Sequence, residues 1–175
     1  AAEIGIAPKV TSLETFPGGI GNRIEMQDAR TNYEGLPTDP IVPVRDVSEY
    51  GEPGFTRDLQ NFAIKHAQQM GHLALKGVKV DDRHEHNVLR HKMTGRPMQL
   101  DFGIAQRVEG PDQVMALADA TSDGLEAMGY NTNDYRFNVY DLLEGGDVAD
   151  AMKVAKQGFA MLQKIKPGNT EPERL

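Results

Sequence analysis

The sequence contains no cysteine, so a disulfide framework, a cysteine-ligated zinc site and thiol redox chemistry are all excluded, and thiol usage says nothing about compartment. No apolar run approaches the ~20 residues needed to cross a bilayer. Residues 1–10 also lack the basic start and long apolar stretch of a secretory signal. A soluble, cytoplasmic protein is therefore expected, with a secreted effector as the alternative. Basic side chains number 19 against 26 acidic ones and the formal charge is -7, which leaves no broad cationic surface for nucleic acid. Repeats and low-complexity tracts are absent. What is there is enough for one core: 175 residues, 39% of them hydrophobic. The chain starts at Ala1 rather than Met, which leaves room for residues upstream.

Punctuation by glycine and proline divides the chain. Residues 9–16 have β-branched or alternating character, Pro17-Gly18-Gly19 is a turn signal, and 22–27 can return as a second strand, so a hairpin is expected. Gly19 and Gly21 lack the third glycine of a phosphate-cradling loop. Between 31 and 54, Pro37, Pro40, Pro43 and Pro53 remove backbone donors and predict a connector. Phe55, Leu59, Phe62, Ala63, His66, Met70, Leu73 and Ala74 recur every three or four residues, which predicts a helix to about Lys76 with Gly77 as its stop, His66 and Met70 serving as packing. Two short antiparallel strands, 88–90 and 98–100, flank the turn sequence Thr94-Gly95-Arg96-Pro97. Apolar spacing predicts further helices over 114–128 and 148–165, with Met115, Met128, Met152 and Met161 as core filler. Asp119, Asp123 and Glu126 read as a solvated helix face, Asn131 to Asp134 as a turn, Asp141, Glu144 and Asp147 as a polar loop, and 167–175 as a frayed tail.

The chemistry-bearing stretch is Gly77-Val78-Lys79-Val80-Asp81-Asp82-Arg83-His84-Glu85-His86-Asn87-Val88-Leu89, followed by Leu100-Asp101-Phe102-Gly103. Here a helix ends at glycine, a loop offers an Asp with an Asn five residues later, a short hairpin follows, and an Asp-Phe-Gly closes the unit. In that order these parts resemble the protein-kinase-like superfamily. The resemblance covers roughly residues 1–110. It implies an α+β protein-kinase-like fold, mainly the helical C-lobe with a partial β N-lobe: 1–30 as N-lobe strands and hinge, 31–175 as C-lobe, with catalytic loop 80–89 and Asp-Phe-Gly at 101–103. It implies that Asp82 orients or accepts the proton of an acceptor hydroxyl and that His84 supports the loop. Asn87 and Asp101 would hold Mg²⁺ on ATP, Leu89 would floor the adenine ring, Gln27, Asp28 and Ala29 would present hinge backbone to its edge, and Gly103 would let the chain turn. Hard oxygen ligands suit that ion. Phosphoryl transfer asks a protein mainly for positioning and charge neutralisation, which is why the parts must converge.

Asp82, His84 and Asn87 together spell D-x-H-x-x-N, a form found in small-molecule kinases and atypical protein kinases, so the acceptor, protein Ser/Thr or small molecule, stays open. Asp81 stands where regulated protein kinases carry Arg, which argues against a clamp on a phosphorylated loop. Residues 1–10 look like the end of a small-lobe helix entering a strand, and 23–29 like the next strand and hinge. No segment matches the Gly-rich strand pair, the strand Lys or the A-P-E of ordinary protein kinases. Either those small-lobe parts lie upstream of Ala1 or the fold is a reduced one. The expected function is an ATP-dependent phosphotransferase, and the alternative is a pseudokinase-type module that binds nucleotide or a partner without catalysis. Two chemical rivals are weighed lower: a zinc site from His84, Glu85, His86 and His91, and a carboxylate pair from Asp81 and Asp82.

Overall fold

The structure, a computed structural model, describes residues 7–15, 22–36, 53–81, 86–100, 102 and 104–166. The chain is a mixed α+β protein with small antiparallel sheets and, among the described residues, four helices. In chain order the elements are β1 (Val10–Thr15), β2 (Asn22–Met26), β3 (Tyr33–Gly35), α1 (Pro53–Leu75), β4 (Val78–Lys79), β5 (Val88–His91), β6 (Pro97–Gln99), β7 (Gln106–Arg107), α2 (Gly110–Glu126), α3 (Asn133–Glu144) and α4 (Val148–Lys164). No described helix is long and apolar enough to cross a membrane.

Helices α1, α2 and α4 form where apolar residues recur with helical spacing. Leu59, Phe62, His66, Met70, Leu73 and Ala74 of α1 are buried, as are Val114, Leu117, Ala118 and Leu125 of α2 and Ala155, Phe159 and Leu162 of α4. Ile64, Ala67 and Ala74 of α1 join the α2 and α4 stripes in the main cluster, whereas Met70 and Leu73 pack with Val80 and Ala120, and Phe62 with Leu36 and Val88. The helices approach closely because small residues sit at the crossings. A Cβ on Gly71 would lie 2.1 Å from Phe159 Cε2, and one on Gly124 would lie 2.6 Å from Leu162 Cδ1. The C-terminal ends of α1, α2 and α4 are each stitched by a glutamine from a neighbouring helix. Gln113 Nε2 donates to the carbonyls of Ala74 (2.9 Å) and Leu75 (3.2 Å), Gln60 Nε2 to Ala127 (2.9 Å), and Gln68 Nε2 to Leu162 (2.9 Å) and Ile165 (3.0 Å). Terminal carbonyls have no partner within their own helix, so these bonds fix helix length and helix packing together.

Helix α3 occupies a stretch where local sequence predicts a turn at 131–134 and a polar loop around Asp141, Glu144 and Asp147. Val139 is buried and Tyr135, Leu142 and Leu143 pack half-buried against the main cluster, an inward stripe with helical spacing. The Asn131 side chain does make a local turn, its Oδ1 accepting from the Asn133 N–H at 2.9 Å, but that bond introduces the helix rather than replacing it. Two methionines read as core are not: Met161 is 62% exposed and Met128 lies at the surface. The Pro-rich connector likewise holds a strand, β3, which pairs antiparallel with β5. Residues 37–52 of that connector and the tail 167–175 lie outside the described residues.

Tyr135 ties α3 to α2 and α4. Its hydroxyl donates to the Ala155 carbonyl at 3.4 Å, and burial pushes its phenol above the ordinary 10.0, opposed by a hydrogen bond with Thr121. Ionising this phenol costs more in the folded than in the unfolded chain. Its stabilising contribution is therefore complete below the unfolded value and is lost as pH rises through the raised folded one. Denaturant midpoints measured between about pH 9 and pH 11 should fall more steeply for the wild type than for Tyr135→Phe; identical slopes would show that this group is not the cause.

The hairpin β1–β2 has the expected pairing, with Leu13 opposite Ile24 and Glu14 opposite Arg23. Among its described side chains none belongs to a buried cluster, and Val10, Leu13 and Met26 are exposed.

Candidate active site

Topology brings the two acid-bearing segments together. The connector 80–87 joins β4 to β5, and the connector 100–105 joins β6 to β7. Strand β4 pairs antiparallel with β7, Val78 opposite Arg107 and Lys79 opposite Gln106, and the Val108 N–H donates to the Gly77 carbonyl at 2.9 Å. Strand β5 pairs antiparallel with β6, Val88 opposite Gln99, and the Leu100 N–H donates to the Asn87 carbonyl at 2.7 Å. The two connectors are thus tied to each other at both ends.

Local sequence explains each tie. Gly77 follows α1 with φ of 73°, a conformation that ends the helix and sends the chain into β4, and a Cβ there would sit 2.9 Å from the Val108 carbonyl. Gly95, with φ of 62°, shapes the turn between β5 and β6, where the His91 carbonyl accepts the Gly95 N–H at 2.9 Å. Gln69 Nε2 and Lys65 Nζ, both from α1, donate to the carbonyls of Pro97 (3.0 Å) and Thr94 (2.9 Å) and fasten the hairpin to that helix.

The residues expected to act at the site stand as follows. Asp82, His84, Asp101 and Gly103 lie outside the described residues. Asn87 is half-buried at the mouth of the hairpin, and its backbone is bonded to the residue that precedes Asp101. Leu89 is half-buried in the central strand β5, on the face opposite the buried Val88, between Gly35 and Met98. Phe102 packs with Met70, Leu73, Val80 and Ala120, so the second connector is pinned by its phenylalanine against the first. Gln27 and Asp28 are exposed and Ala29 half-buried. The Gln27 N–H donates to the Lys9 carbonyl at 2.8 Å, and the Ala29 carbonyl accepts from the N–H groups of Asn32 and Tyr33. The side chain of Asp28 is held by Arg30, whose Nε and Nη2 donate at 3.0 and 2.7 Å and lower its carboxyl from 3.8 to about 2.

The rival chemistries lose described members to other bonds. His91 Nδ1 accepts from the N–H groups of Met93 and Thr94, both at 3.2 Å, and its ring packs edge-on against Tyr33. Asp81 pairs with Lys79 Nζ at 2.9 Å. Among the described residues, no three His, Asp or Glu side chains are grouped to hold a metal ion.

One residue whose sequence context predicts a solvated helix face lies elsewhere in the fold. Asp119 of α2 is half-buried and lines a cleft of about 100 Å³ with Met70, Ala74, Val78, Lys79, Val80, Asp81, Ala116 and Ala120. Arg136 of α3 approaches it, Nη2 lying 3.8 Å from Oδ1. An acid therefore sits under the chain that leads into Asp82. Adjacent residues do not reveal this position: the cleft around Asp119 is completed by Met70 and Ala74 of α1 and Val78 and Lys79 of β4.

No family model, no curated protein and no solved structure matches this chain.

Proposed function

We propose that the chain is a protein-kinase-like phosphotransferase that moves the γ-phosphoryl group of ATP to a hydroxyl acceptor. The observation that supports this reading is that the connectors to which Asp82 and Asp101 belong are tied at both ends, Lys79 to Gln106 and Asn87 to Leu100. In this reading residues 1–30 belong to a small lobe with its hinge, and residues 31–175 form the large lobe.

Asp82 takes the proton of the acceptor hydroxyl as the new oxygen–phosphorus bond forms and the bond to the β-phosphate oxygen breaks, so that ADP leaves with the electron pair. His84 supports the loop. The amide oxygen of Asn87 and the carboxylate of Asp101 are a donor set suited to Mg²⁺, and the backbone of Asn87 is bonded to Leu100, the residue before Asp101 in sequence. That ion supplies neutralisation of phosphate charge. Leu89 floors the adenine ring, and Gly103 lets the backbone turn after Asp101. The hinge draws on the remaining backbone groups of Gln27, Asp28 and Ala29, since the Gln27 N–H and the Ala29 carbonyl are bonded within the chain. The acceptor is a protein Ser/Thr or a small molecule.

A nucleotide- or partner-binding module without catalysis is the second reading. It is favoured by the lack, within residues 1–175, of a Gly-rich strand pair with its lysine. Calorimetric titration with ATP in the presence and absence of Mg²⁺ tests the site common to both. Mg²⁺-dependent binding is expected, weakened roughly tenfold or more in Asn87→Ala and in Asp101→Ala, as for loss of a contact to a charged group. Binding indifferent to both substitutions would reject the assignment.

A further inference from the structure

The outward face of α3 has a composition that packing of the helix does not require. Positions 134, 137, 140, 141 and 144 are spaced by three, four and seven residues and lie away from the buried Val139. Phe137 on this face is 66% exposed and Tyr140 is 45% exposed. Asp134, Asp141 and Glu144 flank the two rings and are exposed, and Asp147 and Asp150 extend the acidic run into α4. From 110 to 152 the sole lysine or arginine is Arg136, and its guanidinium is turned toward Asp119. Exposed aromatic rings bounded by uncompensated carboxylates attract cations twice over, through the ring faces and through the acids.

We propose that this face of α3 docks a polypeptide segment with lysines or arginines clustered around an apolar residue. Charge decides the occupant. Segments 37–52 and 167–175 of the chain carry more acids than bases, four against one and two against one, so they are repelled. A second copy presenting the same face would set carboxylates against carboxylates. A basic partner segment meets the carboxylates with its cations and covers Phe137 and Tyr140 with its apolar residue. This inference does not depend on the phosphotransfer reading, because the affinity is measured without nucleotide.

The test is fluorescence anisotropy of the full chain with a labelled peptide of lysines and arginines around a central leucine, alongside the same peptide with every cation replaced by glutamate. The cationic peptide is expected to bind saturably and more weakly as salt rises, and the glutamate peptide not to bind. Phe137→Ala should weaken binding several-fold, and Asp141→Lys with Glu144→Lys should weaken it at least tenfold. All three substitutions are at exposed positions, so the far-ultraviolet dichroism should stay as in the wild type; Asp141→Asn with Glu144→Gln repeats the test should the reversal perturb the helix. Cationic-peptide affinity unchanged by these variants would overturn the proposal. Sedimentation showing self-association through this face, lost in Phe137→Ala, would overturn it in favour of a second copy.

Discussion

Phe159→Ala is expected to destabilise the fold by about 3–5 kcal/mol, near the upper end for a single core truncation. Phe159 is 2% exposed and lies where α4 crosses α1. Its ring sits directly on Gly71, where a Cβ would approach Cε2 to 2.1 Å, and meets the His72 ring edge-on at 5.3 Å between centroids. Because Gly71 has no side chain to move into the vacated space, the cavity cannot be refilled from that side, which places the cost high in its range. Phe159→Leu keeps most of the volume and should cost under about 1.5 kcal/mol by the usual behaviour of near-isosteric core changes. Met161→Ala, two residues away on the exposed side of α4, should fall within about 0.5 kcal/mol of wild type. Urea denaturation of the three variants checks the ordering. A Phe159→Ala midpoint close to that of Met161→Ala would mean that the crossing of α1 and α4 is not the centre of the core.

The second large effect concerns chemistry. Asp82→Ala should lower turnover by roughly two to four orders of magnitude, the contribution of a positioned proton acceptor. Affinity for Mg-ATP should be kept, because the expected metal donors are Asn87 and Asp101 rather than Asp82. Asp101→Ala should act the other way, raising the nucleotide concentration needed for half-saturation. Steady-state kinetics separate the two, since a group used only in the transition state lowers kcat while a group that binds nucleotide also moves KM. Equal, unaltered activity in both variants would end the assignment of roles.

Much of the architecture was legible because α1, α2 and α4 are long and carry buried residues with regular spacing, and because the β5–β6 turn announces itself as Thr94-Gly95-Arg96-Pro97. Helix α3 was not, since it buries only Val139 fully and places Phe137 and Tyr140 on its exposed side, leaving a weak inward stripe behind an asparagine-rich start. Strands β3, β4 and β7 are two or three residues long, and what makes them strands is pairing with residues far along the chain. Local pattern carries no trace of that. The same split applies to the candidate site. The loop motif and the hairpin could be read from adjacent residues, and the Asn87–Leu100 bond follows from the hairpin register. Asp119 could not, because its surroundings are supplied by α1 and β4 and its cationic neighbour by α3.

The most direct measurement is transfer of the γ-phosphoryl group itself. The purified chain is incubated with Mg-ATP labelled at the γ position, with and without added hydroxyl acceptors, and both ADP formation and covalent label are followed beside Asp82→Ala. The account predicts Mg²⁺-dependent ADP formation by the wild type, with label on the chain or on an acceptor, and a rate in Asp82→Ala at least a hundredfold lower, the lower limit expected for loss of a positioned base. Mg-ATP left intact by the wild type, or consumed at the same rate by Asp82→Ala, would contradict it.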